Sequence, residues 1–265
     1  MELQVAGKRV HAGSGGRRFD TALPTVVFLH GAGMDHTVWA LQARYLAHHG
    51  CGVLALDLPG HGGSEGPPLA SVEDLAVWVW AALDAAGVEM AALAGHSLGA
   101  LTALEAAARQ PERTTALALL GVAEAMPVHP DLLAAAAAND HGAIDMVNAW
   151  AHGAGAHIGG HPAPGTWLLG GGNRLLERAA PGVLHAGLAA CDAYKAAPRR
   201  AAEVTCPVLL LLGALDKMTP AKAGRKLAET FSAAASTRVE VLPACGHMMM
   251  TERPDATLDA LITLL

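Results

Sequence analysis

The sequence predicts an α/β protein: a mostly parallel central sheet with helices on both faces, and an inserted helical cap. Three observations predict it. Short apolar runs without alternation recur along the chain, separated by segments of helical pattern, as strands buried on both faces require. That rhythm stops after residue 121 and resumes at Cys206-Pro207. The chain has 265 residues, 52% of them hydrophobic, which suits one sizeable core with a smaller lobe attached.

The first strand reads Thr25–Leu29 (T-V-V-F-L) and ends at His30-Gly31-Ala32-Gly33. A helical pattern follows from about Thr37 to His48, closed by Gly50. Val53–Leu56 is the next strand and ends at Asp57. Ser71, with Asp74 three residues on, has the form of a helix N-cap; that helix runs to about Ala86, and Gly87 stops it. Strand Met90–Ala94 comes next, then a helix from about Leu98 to Arg109, then strand Leu117–Leu120. After the interruption, Val208–Leu212 and Val239–Leu242 are strands, each followed by a helical segment. The interruption, residues 122–200, holds helical stretches at Pro130–Ala138, Ala143–Ala151 and Asn173–Ala179, joined by Gly- and Pro-rich links. It is expected as a cap, leaving residues 1–121 and 201–265 as the core. Added segments in open α/β sheets gather at the carboxyl ends of the strands, where ligands bind.

Composition narrows the function. A net charge of −6 with no basic block gives little support to nucleic-acid binding. No apolar run reaches the ~18 residues of a membrane span. The stretch from Val77 to Ala94 is broken by Asp84, Gly87 and Glu89. Met1-Glu2-Leu3-Gln4 lacks the charged-then-apolar build of a signal peptide, so a cytoplasmic protein off the membrane is expected. Cys51, Cys191, Cys206 and Cys245 form no C-x-x-C pair and are expected as reduced thiols. Oligomeric state is not legible.

The chemistry is carried by Gly95-His96-Ser97-Leu98-Gly99, which sits between an apolar strand and an Ala-rich helix. This is the G-x-S-x-G elbow in a strand–turn–helix setting. So tight a turn forces unfavourable backbone angles on the serine and holds its hydroxyl at a strand tip, facing the positive end of a helix dipole. A serine hydroxyl needs a base to take its proton, and the base needs a carboxylate to fix its tautomer. In the chain order serine, acid, histidine, Asp216 follows strand Val208–Leu212 and His247 follows strand Val239–Leu242. Glu124 is the reserve acid. The oxyanion needs two backbone N–H donors, expected from Leu98 and Ala32, with Gly31 as the alternative. Cys245 is set aside as a nucleophile because Ser97 fills that role.

These pieces resemble the α/β-hydrolase fold family, in its cap-bearing branch of serine esterases and related hydrolases. The matching motifs are H-G-A-G (30–33), D-L-P-G-H-G-G-S (57–64), G-H-S-L-G (95–99), G-A-L-D (213–216) and G-H (246–247). They span nearly the whole chain outside the cap. The resemblance implies that Asp57, Gly60, His61, Gly62 and Ser64 brace the floor of the site. Ser97 in the elbow argues against dehalogenase and epoxide-hydrolase chemistry. His96 reads as a packing or hydrogen-bonding residue.

Gly31, Trp39, Met126, Trp150, Trp167, Met218 and Met248 are expected to line the substrate pocket. Met126, Trp150 and Trp167 serve equally well as cap core. His152, His157 and His161 lie close in sequence, but no carboxylate or cysteine completes a set, so neither metal nor cofactor is expected. The expected activity is hydrolysis of carboxylic esters of small to medium apolar acids by Ser97, His247 and Asp216, with a small-molecule ester and water as partners. Carbon–carbon, lactone, thioester or amide cleavage by the same triad is the alternative. A slow-turnover ligand receptor on the same scaffold is a further one.

Overall fold

The computed structural model describes residues 1–161 and 165–265. The chain opens with an antiparallel hairpin, β1 (Glu2–Val5) and β2 (Lys8–Gly13), in which Leu3 faces Val10. Six parallel strands follow: β3 (Thr25–Leu29), β4 (Gly52–Leu56), β5 (Ala91–His96), β6 (Thr114–Leu120), β7 (Val208–Gly213) and β8 (Thr237–Leu242). The order across the sheet is β1-β2-β4-β3-β5-β6-β7-β8, with β2 antiparallel to β4. Every residue of β3, β4, β5 and β7 is buried, which is why these strands read as continuous apolar runs.

The core helices are α1 (Ala40–His48), α2 (Val72–Ala85) and α3 (Leu98–Arg109). Ser71 caps α2 by accepting the Asp74 N–H (3.1 Å), and Gly87 at φ +72° ends it. Between β6 and β7 come α4 (Pro130–Ala137), α5 (His141–Ala151), α6 (Ala154–His157), α7 (Leu168–Glu177), α8 (Val183–Ala193) and α9 (Ala197–Ala201). The core closes with α10 (Ala221–Ala228), α11 (Met249–Glu252) and α12 (Pro254–Ile262). No helix of the described residues is long and apolar enough to cross a membrane.

Strand order reverses at β3. The chain steps outward to β4, then returns to place β5 on β3's other side. The chain therefore leaves β3 and β5 in opposite directions at the carboxyl edge, the switch point where ligands usually bind in such sheets. The helical lobe between β6 and β7 is tied to this core through α3. Glu105, wholly buried on α3, accepts hydrogen bonds from Tyr194 Oη (2.7 Å), Arg200 Nε (2.9 Å) and Arg109 Nε (2.6 Å).

Several elements differ from expectation. The β1–β2 hairpin has no counterpart in the expected elements; its strands are short and alternate between exposed and buried, too briefly for a period to register. A turn of 3-10 helix, His36–Trp39, precedes α1. Helix α7 begins five residues before the expected Asn173, at Leu168. Helix α8, opened by Gly182 at φ +83°, was not expected at all. Residues 162–164, inside the expected cap, lie outside the described residues.

Candidate active site

Ser97 occupies the sharp corner between β5 and α3. Its backbone, at φ 54° and ψ −116°, lies in a region that non-glycine residues rarely adopt, a strain worth ~1–3 kcal/mol. The corner persists because its surroundings over-determine it. The Ser97 N–H donates to Leu120 O (2.9 Å), and the N–H groups of Ala100 and Leu101 donate to Ser97 O. A Cβ on Gly95 would collide with the backbone of Gly99, and one on Gly99 with the carbonyl of Leu29. Both glycines of the pentapeptide are thus required by close backbone approach. Ser97 itself retains 9% exposure.

Asp216 and His247 meet at the carboxyl ends of β7 and β8. The His247 Nδ1–H donates to Asp216 Oδ2 (2.7 Å), and both side chains are almost wholly buried. Asp216 also accepts the N–H groups of Met218 and Thr219 on Oδ1 (2.8 Å each) and the Thr219 hydroxyl on Oδ2 (2.7 Å). Burial alone would raise its pKa, but the charge and hydrogen bond of His247, with the bonds from Thr219, hold the carboxyl below the usual carboxylate range. On the far side of the imidazole, Nε2 is buried without a hydrogen-bond partner among the described residues. The ring lies so close over Gly121, at φ +60°, that a Cβ there would stand 2.8 Å from Cε1. Glu124 is elsewhere, its carboxylate paired with Lys226 Nζ (2.6 Å).

Gly31 and Ala32 follow β3; Gly31 lies against His96 and Met34, and Ala32 against α8. Gly31 O accepts from His30 Nδ1 (2.8 Å) and the Met34 N–H (3.2 Å). The N–H groups of Ala32 and Leu98 have no acceptor among the described residues. Leu98 opens α3, so its N–H is one of the four that a helix leaves unused. Gly187 of α8 lies directly against both residues; a Cβ on it would stand 2.7 Å from Ala32 Cβ and 3.1 Å from Leu98 Cδ2.

The other buried histidines are each hydrogen-bonded to the main chain. His96 Nε2–H donates to the carbonyl of His247 (2.9 Å). Burial, with His247 nearby, lowers its pKa far below the ordinary value, so it stays neutral. His30 donates from Nδ1 to Gly31 and accepts the Leu58 N–H at Nε2 (3.0 Å). Burial brings His61 down to about 3. In the turn after β4, Asp57 Oδ1 accepts both the backbone N–H (2.7 Å) and Nδ1–H (2.9 Å) of His36, and Oδ2 accepts the Gly63 N–H (2.8 Å). Ser64 Oγ donates to Asp57 O (2.7 Å). These bonds brace the turn.

Donor atoms of His11, His36 and Asp57 lie within 4.8 Å of one another, the one grouping of metal-ligand composition among the described residues. Asp57 is already committed to three donors, and His11 Nδ1 to Glu2 (2.7 Å), so the group reads as a hydrogen-bonded brace. In the lobe, His152 Nδ1–H donates to Asn148 O (3.0 Å) and His161 Nε2 bonds Thr251 O (2.8 Å).

The expected pocket residues divide. Met248 and Trp167 line one hollow of about 340 Å³ with Val38, His152 and Thr251. Met218 is half-buried beside Asp216, and Met126 is buried in the core. Trp150 is half-buried, its ring edge-on to His129 at 5.8 Å. Trp39 must be corrected. The 3-10 turn rotates it inward, where it has no exposed surface and stacks on Phe28 at 4.8 Å, so it is core and not pocket wall. A larger hollow of about 560 Å³, lined by Thr25, Cys51 and Glu89, opens at the amino ends of the strands, away from Ser97.

Two side chains at the site escaped the sequence reading. Thr219 bonds Asp216 and lies 3.2 Å from His247 Nδ1; its place three residues after the acid was the available signal. Glu252 accepts the N–H groups on both sides of His247, and only its spacing from the histidine hinted at this.

The sequence profile described as the alpha/beta hydrolase family matches residues 26–260. A pimeloyl-[acyl-carrier protein] methyl ester esterase from Aromatoleum aromaticum is 32% identical over 254 residues, 88% of this chain and 94% of that one. Three further relatives align over only 26% to 39% of their own length. Among solved structures, the enol-lactonase of Burkholderia xenovorans LB400 superposes with a TM-score of 0.87 at 26% identity, covering 99% of this chain and 98% of that one. A thermophilic esterase superposes at 0.78, also at 26% identity, covering 99% and 95%. On profile, fold and relatives together, this chain is a hydrolase of the alpha/beta hydrolase family.

Proposed function

We propose that the chain is a serine hydrolase that cleaves carboxylic esters of small to medium apolar acids through an acyl-enzyme. The observation that carries this reading is the buried Asp216–His247 bond of 2.7 Å, which leaves the opposite imidazole nitrogen unpartnered; the strained backbone of Ser97 supports it.

In this reading Ser97 Oγ attacks the ester carbonyl while His247 Nε2 takes its proton. Asp216 accepts the Nδ1–H, which keeps the other nitrogen free as a base and stabilises the imidazolium that forms. The oxyanion is received by the Ala32 and Leu98 N–H groups, which need no reorganisation because no other acceptor holds them. His247 returns the proton to the leaving alcohol, and water cleaves the acyl-enzyme by the same route. Neither step needs a cofactor. The helical lobe acts as a cap, and α8 lies over the oxyanion donors.

A lactone is an ester closed on itself, and the same steps open it. The enol-lactonase neighbour supports that second reading. The test is turnover of p-nitrophenyl esters from acetate to octanoate and of simple lactones, together with fluorophosphonate labelling. Labelling confined to Ser97, and a loss of at least ~10³-fold in kcat for Ser97→Ala, are expected. Near-normal activity in that variant, or labelling elsewhere, would overturn the assignment. Preference for lactones over open esters would select the second reading.

A further inference from the structure

The loop that carries His247 is fastened from two directions. From the core, His96 donates to the His247 carbonyl (2.9 Å) and the Leu215 N–H donates to Cys245 O (2.8 Å). From the lobe, the His247 N–H donates to Ala151 O (2.6 Å), at the last residue of α5. Gly246 runs so close to the same stretch that a Cβ on it would stand 2.5 Å from Gly153 N and 2.6 Å from Ala151 O. A glycine is required there because the lobe backbone occupies the space a side chain would take.

Glu252, 2% exposed at the end of α11, joins the two sides. Its Oε1 accepts the N–H groups of Gly246 (3.0 Å) and Met248 (3.3 Å), the residues flanking His247. Its Oε2 accepts the N–H of Gly153 (2.9 Å), two residues beyond α5. All three donors are main-chain groups. Removing a carboxylate from water costs several kcal/mol, and an apolar side chain would fill the same space without that cost. The carboxylate adds acceptors aimed both ways, one oxygen on the loop of the base and one on the lobe.

We propose that Glu252 is a positioning residue that locks the His247 loop to the Ala151–Gly153 segment, so that the base is held in register only while the helical lobe is seated on the core. The inference rests on the reading of His247 as general base. Displacing the lobe removes the acceptor of the His247 N–H and one of the three donors to Glu252. Displacements near 1 Å at a reacting group lower rates by up to ~10²-fold.

Glu252→Gln is nearly isosteric and keeps Oε1, but it turns an amide NH₂ toward the Gly153 N–H, donor against donor. Per active site, kcat is expected to fall ~10- to 100-fold with KM within about threefold, and fluorophosphonate labelling of Ser97 to slow in parallel. Glu252→Asp keeps the acceptor at shorter reach and should recover part of the loss. A lowered melting temperature with unchanged kcat per active site would overturn the proposal. Should Glu252→Gln fail to fold, amide exchange in the wild-type protein decides. The amides of Gly153, Gly246 and Met248 should lose protection together as denaturant is added, and separate losses overturn the lock. A wild-type protein that neither turns over esters nor labels at Ser97 would sink the proposed function instead, and the exchange experiment would still judge the lock.

Discussion

Gly187 and Ala32 touch backbone to side chain: a Cβ added to the glycine would stand 2.7 Å from that of the alanine. Helix α8 therefore rests on the loop after β3 at a point where any larger residue must push it away. Gly171, in α7, has open space around the same position. Both glycines are helical, so alanine improves helix propensity equally at each. Gly187→Ala should nonetheless lose ~1–3 kcal/mol through overpacking, and ester turnover should fall for every chain length as α8 shifts. Gly171→Ala should gain ~0.5–1 kcal/mol. Thermal melts and kcat/KM of the pair test this; equal effects at both sites would contradict it.

Asp216→Asn should lower kcat ~10³- to 10⁴-fold with little change in fold, because the amide favours the wrong tautomer of His247. Thr219→Val removes a neutral donor from the same carboxylate and should cost far less, ~10-fold, since the Met218 and Thr219 N–H groups still orient Asp216. Glu124→Gln, which breaks only an ion pair with Lys226, should leave turnover unchanged. If Glu124→Gln is the most damaging of the three, the acid is misassigned.

Stability should depend on pH through His36. Its hydrogen bond to Asp57, against the opposing effect of burial, raises its pKa above the ordinary value. A raised folded pKa means that the proton binds the folded state more tightly. The stabilisation is complete below the unfolded value of about 6.5 and disappears as pH rises through the higher folded value. Asp57, held below the carboxylate range against its burial by the His36 and Gly63 bonds, stays ionised throughout that window. The melting temperature of wild type minus that of His36→Gln should be largest below about pH 6 and shrink as pH rises past neutrality. A gap that widens with rising pH would reverse the sign and refute the linkage.

What was legible in the sequence follows from how local each cause is. The corner at Ser97 is dictated within five residues, by glycines that admit close backbone contact, so its motif reads directly. The meeting of Asp216 with His247 was legible because each follows a strand, and parallel strands deliver their following loops to one edge. Glu252 was not, since its partners Gly153 and Gly246 are brought together only when the lobe packs on the core. Helix α8 was missed because Gly182 and the Ala-rich run after it carry no strong apolar period. Trp39 was misread for a geometric reason: a 3-10 turn between the loop and α1 rotates the indole onto Phe28, and residue spacing does not reveal that rotation.

The two lobe tryptophans should respond oppositely to truncation. Trp167 is 72% exposed, yet it borders the hollow shared with Val38, His152 and Met248, the residue after His247. Its ring contributes little to folding, so Trp167→Ala should change stability by no more than ~0.5 kcal/mol. The ring's removal enlarges the hollow. Each acyl methylene that gains or loses apolar contact there is worth ~0.8 kcal/mol, about fourfold in kcat/KM. The effect should grow with each carbon from acetate to octanoate, because a two-carbon acyl group hardly reaches that wall. Trp150 is half-buried, packed against the hydrophobic core and edge-on to His129. Its truncation leaves a void, so Trp150→Ala should lower the melting temperature and reduce activity uniformly across the series. Measuring kcat/KM along the ester series beside thermal melts for both variants separates the roles. A flat profile for Trp167→Ala at unchanged melting temperature would remove that residue, and the hollow it borders, from the acyl site.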